Sequence, residues 1–291
     1  MIAEVTRFAP SPTGELHLGH ALAARVAHDL ARRSGGRFLL RIEDIDGARC
    51  RPEFEQGIFD DLRWLGLLWD GDILRQSEQL SRYRAQLDEL TAAGLTYPCF
   101  CTRGEIAAEI AAMATAPQGP DGPRYPGTCR RLAVADRQAR VSRGDAFALR
   151  LDVEAAFARV SGSLSFEESG QGPGGEQGVI EVDARASGDI VLARKDLGVS
   201  YHLAVVLDDD LQCVTLVTRG EDLFSATHVQ RLLQAVLGLQ QPRYHHHRLV
   251  CDETGRRLAK RDAARSLAAL RAAGASAIGV LAQLGTGESA R

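Results

Sequence analysis

Between Arg7 and His20 the chain reads Arg-Phe-Ala-Pro-Ser-Pro-Thr-Gly-Glu-Leu-His-Leu-Gly-His, an order of residues that restricts the fold sharply. The apolar run over residues 2–8 reads as a strand, Pro10, Pro12 and Gly14 turn it, and a helix opens at His17 to His20. A helix N-terminus offers unpaired backbone N–H groups and the positive end of the helix dipole. Two imidazoles on that first turn, His17 and His20 with Gly19 between them, make a seat for an anion, and a triphosphate is the obvious guest.

Strand and helix patterns alternate through the first hundred residues: a strand at 2–8, a helix at 18–33, a strand at 38–42, and helices at 52–65 and 76–93. Alternation of this kind predicts an α/β fold, a parallel sheet covered by helices with ligands beyond the carboxyl ends of its strands. Arg7 and Glu43 fall at such ends. From 97 to 187 the pattern loosens, with Gly/Pro-rich stretches at 116–127 and 170–178, which reads as an insertion between two halves of a nucleotide-binding fold. Strands are expected again at 189–193, 201–207, 212–218 and 243–250, a helix at 226–237, and a helical tail over 263–284. The parsing is therefore 1–96, 97–187, 188–250 and 251–291.

A chain of 291 residues with 45% hydrophobic content can bury a substantial core. No signal-like N-terminus and no membrane-length apolar run is present, so the expected compartment is the cytoplasm, without membrane association. Six cysteines in that setting point to reduced thiols or a metal site. The net charge of −3 does not advertise a nucleic-acid binder, but its distribution is uneven. Eight basic residues against three acidic lie between Arg243 and Arg271.

The segment at 7–20, together with Arg37-Phe-Leu-Leu-Arg-Ile-Glu-Asp-Ile-Asp46 one helix later, resembles the class I aminoacyl-tRNA synthetases, and specifically their glutamyl branch. The resemblance implies a Rossmann-type nucleotide-binding fold with an inserted zinc-binding, acceptor-type domain and a short helical tail. It implies His17, Gly19 and His20 at ATP, with Mg²⁺ on the phosphates, and Lys260 on the leaving pyrophosphate. Lys260 sits in Asp252-Glu-Thr-Gly-Arg-Arg-Leu-Ala-Lys-Arg261, where Arg257 and Ala259 depart from the family's Lys-Met-Ser-Lys-Ser pattern. For L-glutamate it assigns Glu43 to the α-ammonium and Arg7, Tyr201 and Arg219 to the carboxylate oxygens, with Ser11 nearby. Arg219 belongs to Val217-Thr-Arg-Gly-Glu-Asp222, similar to the family's Arg-Gly-Glu-Asp segment.

Cys99, Cys101 and Cys129 are candidate zinc ligands, and their spacing leaves one tetrahedral position open. The same branch uses Cys-x-Cys followed by Tyr-x-x-x-Cys, so the resemblance supplies Tyr125 as the fourth ligand of a structural zinc. Tyr244-His-His-His-Arg248 is not expected to bind metal, since a strand sends alternate histidines to opposite faces. The resemblance implies that Asp208, Asp209 and Asp210 end a core strand with a structural or pocket-edge role, and Trp64 and Trp69 are expected to pack the core.

Only 30 residues follow Arg261, with no anticodon-reading domain among them, which matches the shortened members of the branch, the glutamyl-queuosine tRNA(Asp) synthetases. That resemblance implies activation of glutamate without tRNA, then transfer to queuosine of tRNA(Asp) by a monomer. Two alternatives stand beside it. One is the catalytic core of a conventional glutamyl-tRNA synthetase acting with a separate anticodon-binding partner; the other is a small-molecule nucleotidyltransferase, against which the Arg-Ile-Glu-Asp and Arg-Gly-Glu-Asp segments weigh.

Overall fold

The structure, a computed structural model, describes residues 2–113, 118–120, 122–195, 198–251 and 266–285. The first half runs β1 (Val5–Phe8), α1 (Leu18–Arg33), β2 (Arg37–Ile42), α2 (Pro52–Trp64), β3 (Leu74–Arg75) and α3 (Leu80–Ala92). Next come β4 (Thr96–Cys99), α4 (Arg103–Ala112), β5 (Gln118–Gly119), β6 (Gly122–Pro123), α5 (Val134–Ser142), β7 (Ala148–Leu151), α6 (Val153–Arg159), β8 (Ser165–Glu168), β9 (Gly178–Glu181) and β10 (Val191–Ala193). The chain continues through α7 (Tyr201–Leu211), β11 (Leu216–Gly220), α8 (Phe224–Leu237), β12 (Arg243–His247), α9 (Leu267–Ala272) and α10 (Ala277–Leu284).

β1 pairs in parallel with β2, and β2 with β3; β11 pairs in parallel with β12, and β12 with β8. The two sets meet where the Thr215 N–H donates to the Val5 carbonyl at 2.9 Å, which places β11 beside β1. From β1 the chain crosses over α1 to β2 on one side, and from β11 over α8 to β12 on the other, so the strand order reverses between β1 and β11. A reversal of this kind opens a crevice at the strand ends. The hairpin of β8 and β9 adds to the β12 edge, while β4, β7 and β10 form a separate antiparallel sheet.

The apolar stripe of α1, including Leu22, Val26 and Ala27, packs on Phe38, Leu40 and Ile42 of β2, and Leu267, Val280 and Leu284 of the tail close over the same core. Each such aliphatic side chain removed from water contributes about 1.5–3 kcal/mol. Trp64 and Trp69 pack against this core at its margin, as expected. A second core joins α3, α6, α7 and α8 to β7 and β10, so the separate sheet is docked on the second half. Among the described residues no helix is long and apolar enough to cross a membrane.

One expected strand is a helix. Residues 201–207 read as a strand, yet they open helix α7, in which every residue from Leu203 to Asp209 is buried. A helix covered on all sides has no polar face, so its sequence lacks the 3.6-residue period that would have marked it. Asp208 and Asp209 therefore lie inside a helix rather than at the end of a strand.

Candidate active site

α1 begins with a reciprocal cap built from two histidines. His17 Nδ1 accepts the Gly19 N–H at 3.1 Å, and His20 Nδ1 accepts the His17 N–H at 3.1 Å. The rings lie 3.9 Å apart between centroids. Gly19 makes this possible, because a Cβ there would sit 2.9 Å from the His17 ring. The cap fixes both imidazoles at the positive end of α1. On the far side of the same turn, Ser266 bridges to His17 and the Leu267 N–H donates to the Leu16 carbonyl at 2.8 Å.

Arg7 is buried on β1 and pairs with Asp209 of α7, Nε to Oδ1 at 2.9 Å, while one terminal nitrogen donates to the Thr218 carbonyl at 3.0 Å. Arg41 of β2, fully buried, donates to the same Asp209 oxygen at 2.6 Å and lies 3.4 Å from Glu43 and 3.9 Å from Asp208. Burial pushes the Asp209 carboxyl up, but the Arg7 and Arg41 guanidiniums more than reverse this and hold it at about 2. Burial dominates at Glu43, whose carboxyl is raised despite Arg41 and Arg7. Asp208 accepts from Tyr83 and Gln76, each at 2.8 Å. Arg219 of β11 is also buried, but its three hydrogen-bond acceptors, His246, Gln230 and Thr227, are neutral.

Arg7, Ser11, His17, Gly19, His20, Glu43, Tyr201 and Arg219 all line one cavity of about 470 Å³ at the β1–β11 crevice. The structure thus gathers every sequence-assigned nucleotide and amino-acid residue that falls within the described set. Lys260, with Arg257 and Ala259, lies outside the described residues. A second cavity of about 520 Å³ shares Ser11, Glu43 and Tyr201 with the first and extends toward Arg49, Arg124 and Arg150. Its lining is of mixed charge, with Asp46 and Asp189 beside these arginines.

Reading the sequence missed Arg41, Thr218 and the strand end at His247 to Val250, which complete the cavity or its support. Arg41 carried a usable signal, a charge inside an otherwise apolar buried strand. The strand expected to run to 250 ends at His247, and of its histidines His246 and His247 are both buried.

Cys99, Cys101 and Cys129 form the single group of metal-ligand type among the described residues, their sulfurs all within 4.8 Å of one another. The Tyr125 hydroxyl lies 3.4 Å from Cys99 Sγ and 3.7 Å from Cys101 Sγ, and Cys101 and Cys129 sulfurs are 3.4 Å apart. Edges of this length fit a tetrahedron around a cation with metal–sulfur bonds of about 2.3 Å. Burial pushes the Cys101 thiol up to about 12, a pressure that a bound cation would oppose.

Residues 4–284 match the family model for the catalytic domain of class I tRNA synthetases of the E and Q type. The chain is 54% identical over 274 residues to the glutamyl-Q tRNA(Asp) synthetase of Rhodobacter capsulatus, covering 94% of this chain and 96% of that one. It is 46% identical to the enzyme of the same name from Nocardia farcinica, covering 96% of this chain and 82% of that one. A glutamate-tRNA synthetase structure from Elizabethkingia anophelis superposes with a TM-score of 0.72 at 26% identity, over 89% of this chain. The chain spans about half, 53%, of that longer protein.

Proposed function

This chain belongs to the class I tRNA synthetases of the E and Q type, and from that premise we propose that it joins L-glutamate to AMP and then to the queuosine base of tRNA(Asp). The observation that carries the chemistry is the shared cavity, where a histidine-capped helix start faces two arginines and a glutamate. The acceptor rests on relatives named for it that match the chain over nearly its whole length.

Glutamate binds with its α-ammonium on Glu43, whose raised carboxyl gains from a cation beside it. Its side-chain carboxylate goes to Arg219, because Arg7 already shares a carboxylate with Asp209 while Arg219 has only neutral company. Tyr201 and Ser11 complete the wall between the two cavities. An α-carboxylate oxygen attacks the α-phosphorus of ATP, the bond to the bridging oxygen breaks, and pyrophosphate leaves with its electron pair. His17 and His20 at the positive end of α1 offset charge on the phosphoryl oxygens, Lys260 takes the pyrophosphate side, and Mg²⁺ bound with ATP would neutralise part of the phosphate charge. A hydroxyl of the acceptor then attacks the acyl carbon, expelling AMP. Cys99, Cys101, Tyr125 and Cys129 would hold one structural zinc, which supplies a cross-link to a segment with few apolar residues of its own.

The alternative acceptor is the terminal ribose of tRNA(Glu), in keeping with the glutamate-tRNA synthetase fold match. Incubation with ATP, labelled glutamate and tRNA from cells that do or do not make queuosine separates the two. The proposal expects label on tRNA(Asp) only where queuosine is present; equal labelling of both pools, or labelling of tRNA(Glu) alone, contradicts it.

A further inference from the structure

We infer that Glu168 and His246 are positioning residues for Arg219, an assignment that deepens the glutamate-activating reading above and rests on it. A guanidinium has five N–H groups. In Arg219 the Nε–H donates to His246 Nε2 at 3.1 Å, and the two terminal nitrogens donate once each, to Gln230 Oε1 at 2.7 Å and Thr227 Oγ1 at 2.5 Å. One N–H on each terminal nitrogen remains, and Arg219 lines the 470 Å³ cavity. A guanidinium with an N–H left on each terminal nitrogen has the two donors that a carboxylate fork needs.

The aim of that fork depends on which ring nitrogen of His246 carries the proton. Nε2 accepts from Arg219 only if the proton is on Nδ1, and Glu168 enforces this with Oε2 2.5 Å from Nδ1. Both side chains are wholly buried, so no water competes for either atom. The other carboxylate oxygen, Oε1, accepts the N–H of Gly170 at 2.7 Å and of His246 at 2.9 Å, which leaves the carboxylate as an acceptor throughout. The Thr227 hydroxyl lies 3.3 Å from the same Nε2, closing the arrangement around an unprotonated nitrogen.

The glycine-rich stretch after β8 allows this contact. A Cβ on Gly170 would fall 2.2 Å from the His246 carbonyl oxygen, so only glycine lets the two backbones come together there. Neither Glu168 nor His246 is among the residues lining the cavity, and any influence on substrate must therefore pass through Arg219.

Glu168→Gln tests the chain of contacts. With its carbonyl held by the two backbone N–H groups, the new amide directs an N–H at Nδ1, moves the imidazole proton to Nε2 and sets it against Arg219 Nε–H. A wrong tautomer held in unchanged surroundings is known to be costly, and an ångström of misplacement can cost on the order of 10²-fold. Pyrophosphate exchange should show the KM for glutamate raised at least tenfold, with kcat and the KM for ATP within about threefold of wild type. Adding His246→Gln, which presents a carbonyl where Nε2 lay, should restore most of the loss.

A Glu168→Gln enzyme with ordinary glutamate KM, or a double variant worse than the single, would overturn the inference. Should melting show Glu168→Gln unfolded, the pair His246→Gln and His246→Leu decides. The first should keep the glutamate KM and the second raise it; equal values in the two would count against the assignment. Wild-type protein with no glutamate-dependent exchange would remove the parent reading and this inference together, whereas an active wild type with unmoved variants removes the inference alone.

Discussion

Arg7 and Arg219 enter one cavity in different electrical company, and that difference assigns them different work. Arg7 and Arg41 share the Asp209 carboxylate, while Arg219 among the described residues has no direct ion pair and hydrogen-bonds only to His246, Gln230 and Thr227. Arg219→Gln should therefore raise the glutamate KM on the order of 10²-fold or more, in keeping with about 2–5 kcal/mol for one partner of a desolvated ion pair, while the ATP KM stays near wild type. Lys260→Ala should instead slow adenylate formation on the order of 10²–10³-fold with little change in glutamate KM, as expected for a donor that acts on developing charge. Both are read from pyrophosphate exchange. Burial above all lowers the His246 imidazole to about 4 from an ordinary value of 6.5. Between those values the unfolded chain takes up a proton that the folded chain refuses, so stability from this group is complete above about 6.5 and is lost as pH falls toward about 4. The lowered Glu168 carboxyl acts in the same direction at the acid end. Thermal unfolding across this range should show wild type losing ground to the Glu168→Gln, His246→Gln double variant, which titrates at neither position; a constant gap between them would contradict the burial argument.

At the scale of elements, α7 organises the amino-acid end of the site. Its first residue, Tyr201, stands between the two cavities, and two turns on it delivers Asp208 and Asp209 to the arginines of β1 and β2. Asp209→Ala strands two buried cations, and its denaturation midpoint should reflect a loss of about 3–5 kcal/mol. The sequence made the start of α1 legible, though not its histidine cap, because proline, glycine and histidine leave local marks, and β1, β2 and α8 legible through their apolar patterns. It hid α7, whose uniform burial erases helical periodicity. It also hid the support of Arg219, since Glu168 and His246 stand 78 residues apart and meet only through the β8–β12 contact. The cysteine cluster was half legible: spacing suggested three thiols, and Tyr125 was supplied by resemblance rather than by any local rule. Removing metal from the purified protein with a chelator should lower its melting temperature and speed proteolysis between β4 and β7, and Cys129→Ser should reproduce both effects. A chelator-treated protein that melts as before would argue against a structural zinc.

Across the whole molecule, a strand reversal between β1 and β11 opens a crevice, and a second cavity joins it through Ser11, Glu43 and Tyr201. In the proposed reaction, activation takes the first cavity and the acceptor the second, whose lining includes Arg49, Arg124 and Arg150. On the proposed function the first half-reaction needs no RNA. The most direct measurement is glutamate-dependent exchange of labelled pyrophosphate into ATP, with magnesium present and tRNA absent, compared with glutamine and aspartate. The account predicts exchange with glutamate and at least a hundredfold less with glutamine, which cannot neutralise Arg219. Exchange that waits for tRNA, or that proceeds equally with glutamine, would contradict it.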